Sequence, residues 1–402
     1  MREIINNRVI LMPHNFDTLI NNQQQHSVKH DANQQFFGTE DILPLWVADM
    51  DFAAPSAVTE ALTTRAQHPV YGYTFYPESL YQALILWFEK QHNWHIERDS
   101  ILMSSGVVTS LHAIILALTQ VGDGIIIQPP VYPPFFSCVT TTKRKLLLNP
   151  LRLIDGQYQI DFEYLEQCAA QGAKLLILCS PHNPVGRVWT KDELQQLLSI
   201  TRRYGIVVIA DEIHADLVYP PHQHHSFATL AQADDLWIST IAPSKTFNIA
   251  GLMLSSLIVP NLQHKQAIQA VFDSLHIGNS NPFSIAAFEA AYTHGYTWLN
   301  EVLVYLQANR DFACDYVKQH IPQIQAITPQ GTYLLWLDCR GLGLNDGALK
   351  SFFIQQAKLG LNTGLSFGEA GSGFMRMNFA VPQSKLKQAL VQLKQAVDSI
   401  EK

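Results

Sequence analysis

The sequence predicts an α/β protein: a large domain on a mostly parallel, mixed sheet, followed by a smaller α+β domain. Two observations predict it. From about residue 95, short apolar runs bounded by Gly, Pro or polar residues alternate with helical segments, as buried strands and crossover helices do. After about residue 285 the alternation gives way to a long helical region and then strand, helix, strand, helix. The length of 402 residues suits two domains, and 47% apolar against 15% charged residues argues for a large core rather than disorder.

Taken in order, residues 1–50 are polar and irregular, with Asn21 to Gln25 the most biased stretch. They are expected to form an arm that packs late on the body or on a partner and adds to the small domain, with the first dozen residues disordered. The large domain is expected over 51–285. VVTSLHAIILALTQ (107–120) is apolar around much of its circumference and reads as a buried helix. GIIIQPP (124–130), KLLILCSP (174–181), GIVVIADE (205–212), LWISTIAPSK (236–245) and LSSLIVP (254–260) read as strands. TKDELQQLLSITRRYG (190–205) opens on a capping box, Thr190 with Glu193, and stops at Gly205. The small domain is expected over 286–402, with helix to His320, strand 332–340, helix 346–359, strand 374–382 and helix 384–397.

The formal net charge of −7 argues against nucleic acid or an anionic membrane as partner. Five cysteines, odd in number, widely spaced and without a C-x-x-C, fit reduced thiols in a cytoplasmic enzyme better than disulfides or a zinc site. The first residues lack the apolar run of a signal peptide, and no stretch approaches a membrane span. HQHH (222–225) follows two prolines and lacks helical histidine spacing, so it reads as a solvated loop rather than a metal site. No dinucleotide or P-loop pattern occurs.

Ligands of such a sheet bind beyond the carboxyl ends of its strands. Four segments put polar residues there. SPHNPVGR (180–187) presents Asn183 beside prolines, though it could be a mere turn. ADEIHAD (210–216) ends a strand on Asp211, which needs a cationic or donor partner if buried, or serves as a helix cap. APSKTFNIAGL (242–252) sets Lys245 between apolar segments. Desolvation there would lower its pKa, as imine chemistry requires, whereas an ordinary strand-end lysine would snorkel to water. SSGVVTSL (104–111) opens the buried helix with free amides at Gly106, Val107 and Val108, which suit a phosphate.

Together, Gly-helix, Asn, Asp and Lys in that order resemble the fold-type I, aspartate aminotransferase-like enzymes that use pyridoxal 5′-phosphate (PLP). The resemblance spans nearly the whole chain and is most specific in SPHNPVG, ADEIHAD and SKTFNIAGL. It implies that Lys245 holds the cofactor as an imine and moves the substrate Cα proton. It implies Asp211 on the pyridine nitrogen, Asn183 on the ring oxygen and Tyr132 on the ring face. The Val107 and Val108 amides and the Ser244 hydroxyl would hold the phosphate, and Arg376 would clamp the substrate carboxylate. Tyr73 matches a tyrosine that reaches the phosphate of the neighbouring subunit, which implies a homodimer.

Two positions depart from the aminotransferase pattern. His214 stands where a tyrosine is usual, and Met253 where a phosphate-binding arginine is usual. With WVADMDF (46–52), which would line the entrance, they resemble the carbon–sulfur β-lyase branch. That branch contains cystathionine β-lyases, one of which also modulates a maltose regulon. No catalytic role falls to Trp46, Asp49 or Asp51, which could equally be packing and capping residues. The expected reaction is α,β-elimination of cystathionine, cysteine or S-substituted cysteines to a thiol, pyruvate and ammonia. An aminotransferase on the same scaffold and a regulatory binding protein are the alternatives.

Overall fold

The computed structural model describes residues 3–5, 8–10 and 14–400. Of the first dozen residues, expected to be disordered, Glu3–Ile5 and Arg8–Ile10 pair antiparallel and the others lie outside the described residues.

The main sheet has strands β1 (Ile101–Ser104), β2 (Gly124–Ile127), β3 (Lys145–Leu148), β4 (Ala173–Cys179), β5 (Val207–Asp211), β6 (Trp237–Ile241) and β7 (Ser255–Ile258). Their order is β1-β7-β6-β5-β4-β2-β3. Strand β7 runs antiparallel to both neighbours, and the remaining pairs are parallel. The five runs read as strands from the sequence are all present. Strands β1 and β3 were not legible, because Leu148 at the end of the edge strand β3 faces water and β1 follows a 3₁₀ turn at Arg98–Ser100.

Alternation along the central strands sorts their side chains to two faces. Leu175, Ile177, Val207 and Ile209 pack with Leu111 and Ile114 of helix α1 (Val107–Leu118). Leu176, Leu178, Val208 and Ala210 pack with Leu194 and Leu197 of helix α2 (Lys191–Tyr204). Asp211 continues the first series and Glu212 the second. Helix α2 carries the expected reciprocal cap, Thr190 with Glu193, and ends at Gly205 in the left-handed conformation.

The helical region before His320 is two helices, α3 (Pro282–His294) and α4 (Tyr296–His320), broken at Gly295. A Cβ at that glycine would run into the Phe247 ring and the Ala291 carbonyl, so close packing leaves no room for a side chain at the break. Beyond it, β8 (Gln325–Ile327), β9 (Leu334–Asp338), β10 (Asn362–Thr363) and β11 (Phe374–Asn378) form an antiparallel sheet in the order β8-β9-β11-β10. Helix α5 (Gln383–Ile400) packs Leu386, Leu390 and Leu393 into the core. The helix expected at 346–359 is helical only over Asp346–Ser351 and continues as a wider π turn over Phe352–Gln356, which buries both Phe352 and Phe353. In the early chain, Leu43–Pro44 pairs with Leu359–Gly360.

The loop after β4 is stitched to the strand β9 region. Gly186 lies at φ +71°, donates to His182 and accepts from the Gln330 and Gly331 amides. A Cβ there would collide with Pro329. Gly186→Ala should therefore cost about 2–4 kcal/mol, from left-handed strain plus overpacking. The check is a lower midpoint in urea or thermal denaturation; an unshifted midpoint would contradict it.

Candidate active site

Parallel register places Asp211 level with Cys179 of β4 and Thr240 of β6. The chain then turns out of the sheet at each of these strands, carrying Asn183, His214, Ser244 and Lys245 to one edge. A cleft of about 500 Å³ opens there. Its lining includes Gly106, Val107, Val108, Tyr132, Asn183, Asp211, His214, Ser244, Lys245 and Arg376, so ten of the expected site residues meet in one place. Tyr73 does not. It is fully exposed, in an extended stretch that also exposes Val70, Tyr71 and Phe75.

The Lys245 ammonium donates to the Ala48 carbonyl at 2.6 Å. Burial lowers its pKa to about 8; Asp49 and Asp211 oppose that shift and Arg376 adds to it. Asp211 receives one amide, Ile213 N–H at 3.2 Å. Burial pushes its carboxyl up to about 7, against that amide, the Thr240 hydroxyl and Lys245, with Glu212 adding to the rise. Both groups thus change charge near neutrality, a poise that functional sites favour.

Arg376, central in β11, is buried rather than at the surface. Nη1 donates to Asn183 Oδ1 at 3.0 Å, and Nη2 donates to Asn362 Oδ1 and to the Trp46 carbonyl, each at 2.7 Å. Among the described residues Nε has no hydrogen-bond partner, and the guanidinium lies 4.9 Å from the Phe367 ring centroid. Burial lowers the pKa to about 10, so the group remains cationic at neutral pH. A dry cation with a free donor is a receptor for a carboxylate.

At the opposite wall, helix α1 starts at Gly106 with no side-chain cap, which leaves the Val107 and Val108 amides facing the cleft. A Cβ at Gly106 would meet open space, so the approach to those amides is clear. A helix N-terminus with uncapped amides, the Ser244 hydroxyl beside it and an amine and a carboxyl beyond fit a phosphorylated heterocyclic aldehyde such as PLP. Burial raises the Tyr132 hydroxyl pKa, with Asp211 adding to the rise. His214 is buried, its Nδ1 has no hydrogen-bond partner among the described residues, and burial with Lys245 and Arg376 pushes its pKa down to about 3, so the ring is neutral.

The WVADMDF segment is held through its backbone, which sequence reading does not reveal. Asn378 donates to the Val47 and Asp49 carbonyls, and Tyr333 shares the Ala48 carbonyl with Lys245. Asn248 receives the Met50 amide and donates to the Met50 and Phe52 carbonyls. Asp51 is no cap. Its buried carboxylate meets Lys29 at 2.8 Å, His30 at 3.1 Å and Lys385 at 2.6 Å. Trp46, Val47 and Ala48 line the cleft, as expected. Asn362 and Asn378, which belong to the site through Arg376 and this strap, carry no motif that would have marked them. The HQHH run departs from its expectation: His224 is buried against Glu212 instead of standing in water.

The raised Asp211 pKa fixes a sign. Without cofactor, the folded state is favoured while Asp211 is protonated, fully below about pH 4, and that advantage is lost as pH rises through about 7. Asp211→Asn should then raise the melting temperature of the cofactor-free protein at about pH 8 by several degrees and change it little near pH 4. Equal effects at both pH values in thermal melts would contradict the assignment.

Residues 40–393 match the family model of class I and II aminotransferases. The chain is 39% identical to "Cystathionine beta-lyase PatB" of Bacillus subtilis (strain 168), over 95% of this chain and 100% of that relative. It is 33% identical to "Protein MalY" of Escherichia coli (strain K12), over 90% of this chain and 94% of that one. Cystalysin from Treponema denticola, whose crystal structure contains pyridoxal 5′-phosphate, superposes with a TM-score of 0.93 at 34% identity, over 96% of this chain and 100% of that one. On both the sequence match and the shared architecture, the chain belongs to the class I and II aminotransferase family.

Proposed function

We propose that this protein is a PLP-dependent carbon–sulfur β-lyase that eliminates a thiol from cystathionine, cysteine or S-substituted cysteines and yields pyruvate and ammonia. The observation that carries the reading is the meeting of Lys245, Asp211, Asn183 and Arg376 in one cleft, in a chain related over nearly its full length to a protein named for cystathionine β-lyase activity.

Bound PLP supplies an electron sink that makes the Cα proton of an amino acid acidic. The chain's own residues do the rest. Val107, Val108 and Ser244 bind the phosphate at the start of α1. Asp211 would face the ring nitrogen and keep it protonated, Asn183 would face the ring oxygen, and Tyr132 and His214 would border the ring. Arg376 binds the α-carboxylate through its free Nε and the edge it now gives to Asn362 and Asn183. Lys245, neutral at a mildly basic pH, would hold the cofactor until the substrate's amine replaces it; the freed amine would then take the Cα proton as the thiolate departs from Cβ, and water would carry the remaining fragment to pyruvate and ammonia. Met253 lies at the cleft where aminotransferases carry an arginine, and His214 replaces a tyrosine; both support elimination over amino transfer.

The exposed strip Val70 to Phe75 supports a homodimer in which Tyr73 reaches the partner's phosphate site. Five unpaired cysteines support a reducing, cytoplasmic setting. The pairing of Leu43–Pro44 with Leu359–Gly360 supports an arm over 1–50 that adds to a small domain at 286–402, beside a large domain at 51–285.

Purified protein given cystathionine should release homocysteine and pyruvate with no 2-oxo acid added, and Lys245→Ala should lower that rate by about a thousandfold or more and abolish the visible cofactor band. Turnover that needs an added oxo acid and yields no thiol would make the protein an aminotransferase.

A further inference from the structure

Behind the cleft, two buried histidine–carboxylate pairs join the residues that follow its two key groups. Glu212 follows Asp211, and alternation turns its side chain to the opposite face of the sheet. There Glu212 Oε1 accepts from the Phe227 amide at 2.8 Å and lies 3.0 Å from His224 Nε2. Thr246 follows Lys245, and its hydroxyl donates to Asp216 Oδ2 at 2.8 Å. Asp216 also receives Trp87 Nε1 at 3.1 Å, and Asp216 Oδ1 lies 2.8 Å from His92 Nε2. The two pairs touch: the His92 and His224 rings meet edge to face, 5.5 Å between centroids and perpendicular. Every side chain in the series is buried; His92 and Asp216 are 7% and 5% exposed, His224 and Glu212 3% and 0%.

We propose that Glu212, His224, His92, Asp216 and Thr246 are positioning residues that set the distance of the Lys245 amine from the Asp211 carboxyl. The inference rests on the assignment of Lys245 and Asp211 as the cofactor-holding pair. A buried polar pair, charged or not, contributes little net stability compared with apolar residues of the same volume, so two of them in series are poor devices for stability alone. What they provide is direction. A hydrogen-bonded carboxylate fixes its partners' positions in a way that apolar packing does not. Among the described residues His224 Nδ1 has no hydrogen-bond partner, so Glu212 supplies the polar contact that orients that ring and His92 an edge contact. Burial alone would raise the Asp216 pKa, yet His92, Thr246 and Trp87 together hold it below the usual carboxylate value. Neither site group is tied to a buried carboxylate of this kind: Asp211 has the Ile213 amide and the neighbouring Thr240 hydroxyl, and Lys245 the Ala48 carbonyl. The neighbours at 212 and 246 therefore add to their placement through the backbone.

The test uses the PLP-loaded enzyme. Thr246→Val keeps the volume and removes the hydroxyl. It should lower kcat about tenfold or more with KM within about twofold, and change the visible circular dichroism of the bound cofactor, because misplacement acts on the reacting geometry. Thr246→Ser, which keeps the hydroxyl, should restore both readings. His224→Leu should repeat the Thr246→Val signature from the opposite end and His224→Gln should reverse it, which keeps the test open if Thr246→Val does not fold. Unchanged kcat and dichroism in Thr246→Val and His224→Leu would overturn the inference, as would losses that Ser and Gln fail to restore. Lys245→Ala separates the two readings. If it retains turnover and the visible band, the assignment of the cofactor pair fails; if it loses both while Thr246→Val matches the parent enzyme, the positioning inference alone fails.

Discussion

The structure depends on keeping one amine and one carboxyl out of water at the same edge of a sheet. Charges are costly to bury, and each group answers by moving its pKa toward neutrality. Lys245 falls to about 8 and Asp211 rises to about 7, so each can gain or lose a proton near physiological pH. An exposed pair would do neither. Two apolar layers sustain the condition: helix α1 on one face of the central strands and helix α2 on the other.

The strap at 46–52 closes the same region from above. Its carbonyls at 46–50 and 52 accept from side chains far along the chain: Arg376 and Asn378 in β11, Tyr333 before β9, Asn248 and Lys245 after β6. Two of these donors also line the cleft or act in it, so the strap and the site share one hydrogen-bond set. The Asp51 cluster anchors the strap from behind with three cationic partners, Lys29, His30 and Lys385. A single carboxylate so surrounded is held far toward the ionised form, although burial opposes it.

Much of this was legible in the sequence, for a physical reason. Buried parallel strands read as short apolar runs, and their carboxyl ends are where chain polarity places a ligand, so Asn183, Asp211 and Lys245 announced themselves by position. The capping box at Thr190 is local and was legible for that reason. Arg376 was not legible from local pattern, since an arginine on a strand more often faces water; only family resemblance marked it. Asn362, Asn378 and the Ala48 carbonyl escaped because a hydrogen bond between distant segments leaves no spacing to read. His224 misled for the opposite reason. A polar run after two prolines reads as solvated, yet the buried Glu212 draws one of its histidines inside.

The central claim is that the amine of residue 245, and no other, is the one that carries the cofactor. Borohydride reduction of the yellow protein, followed by digestion and mass mapping, tests this directly. The account predicts a single cofactor-bearing peptide with its added mass on Lys245. A stable adduct on another lysine, or none while the protein remains yellow and active, would contradict it.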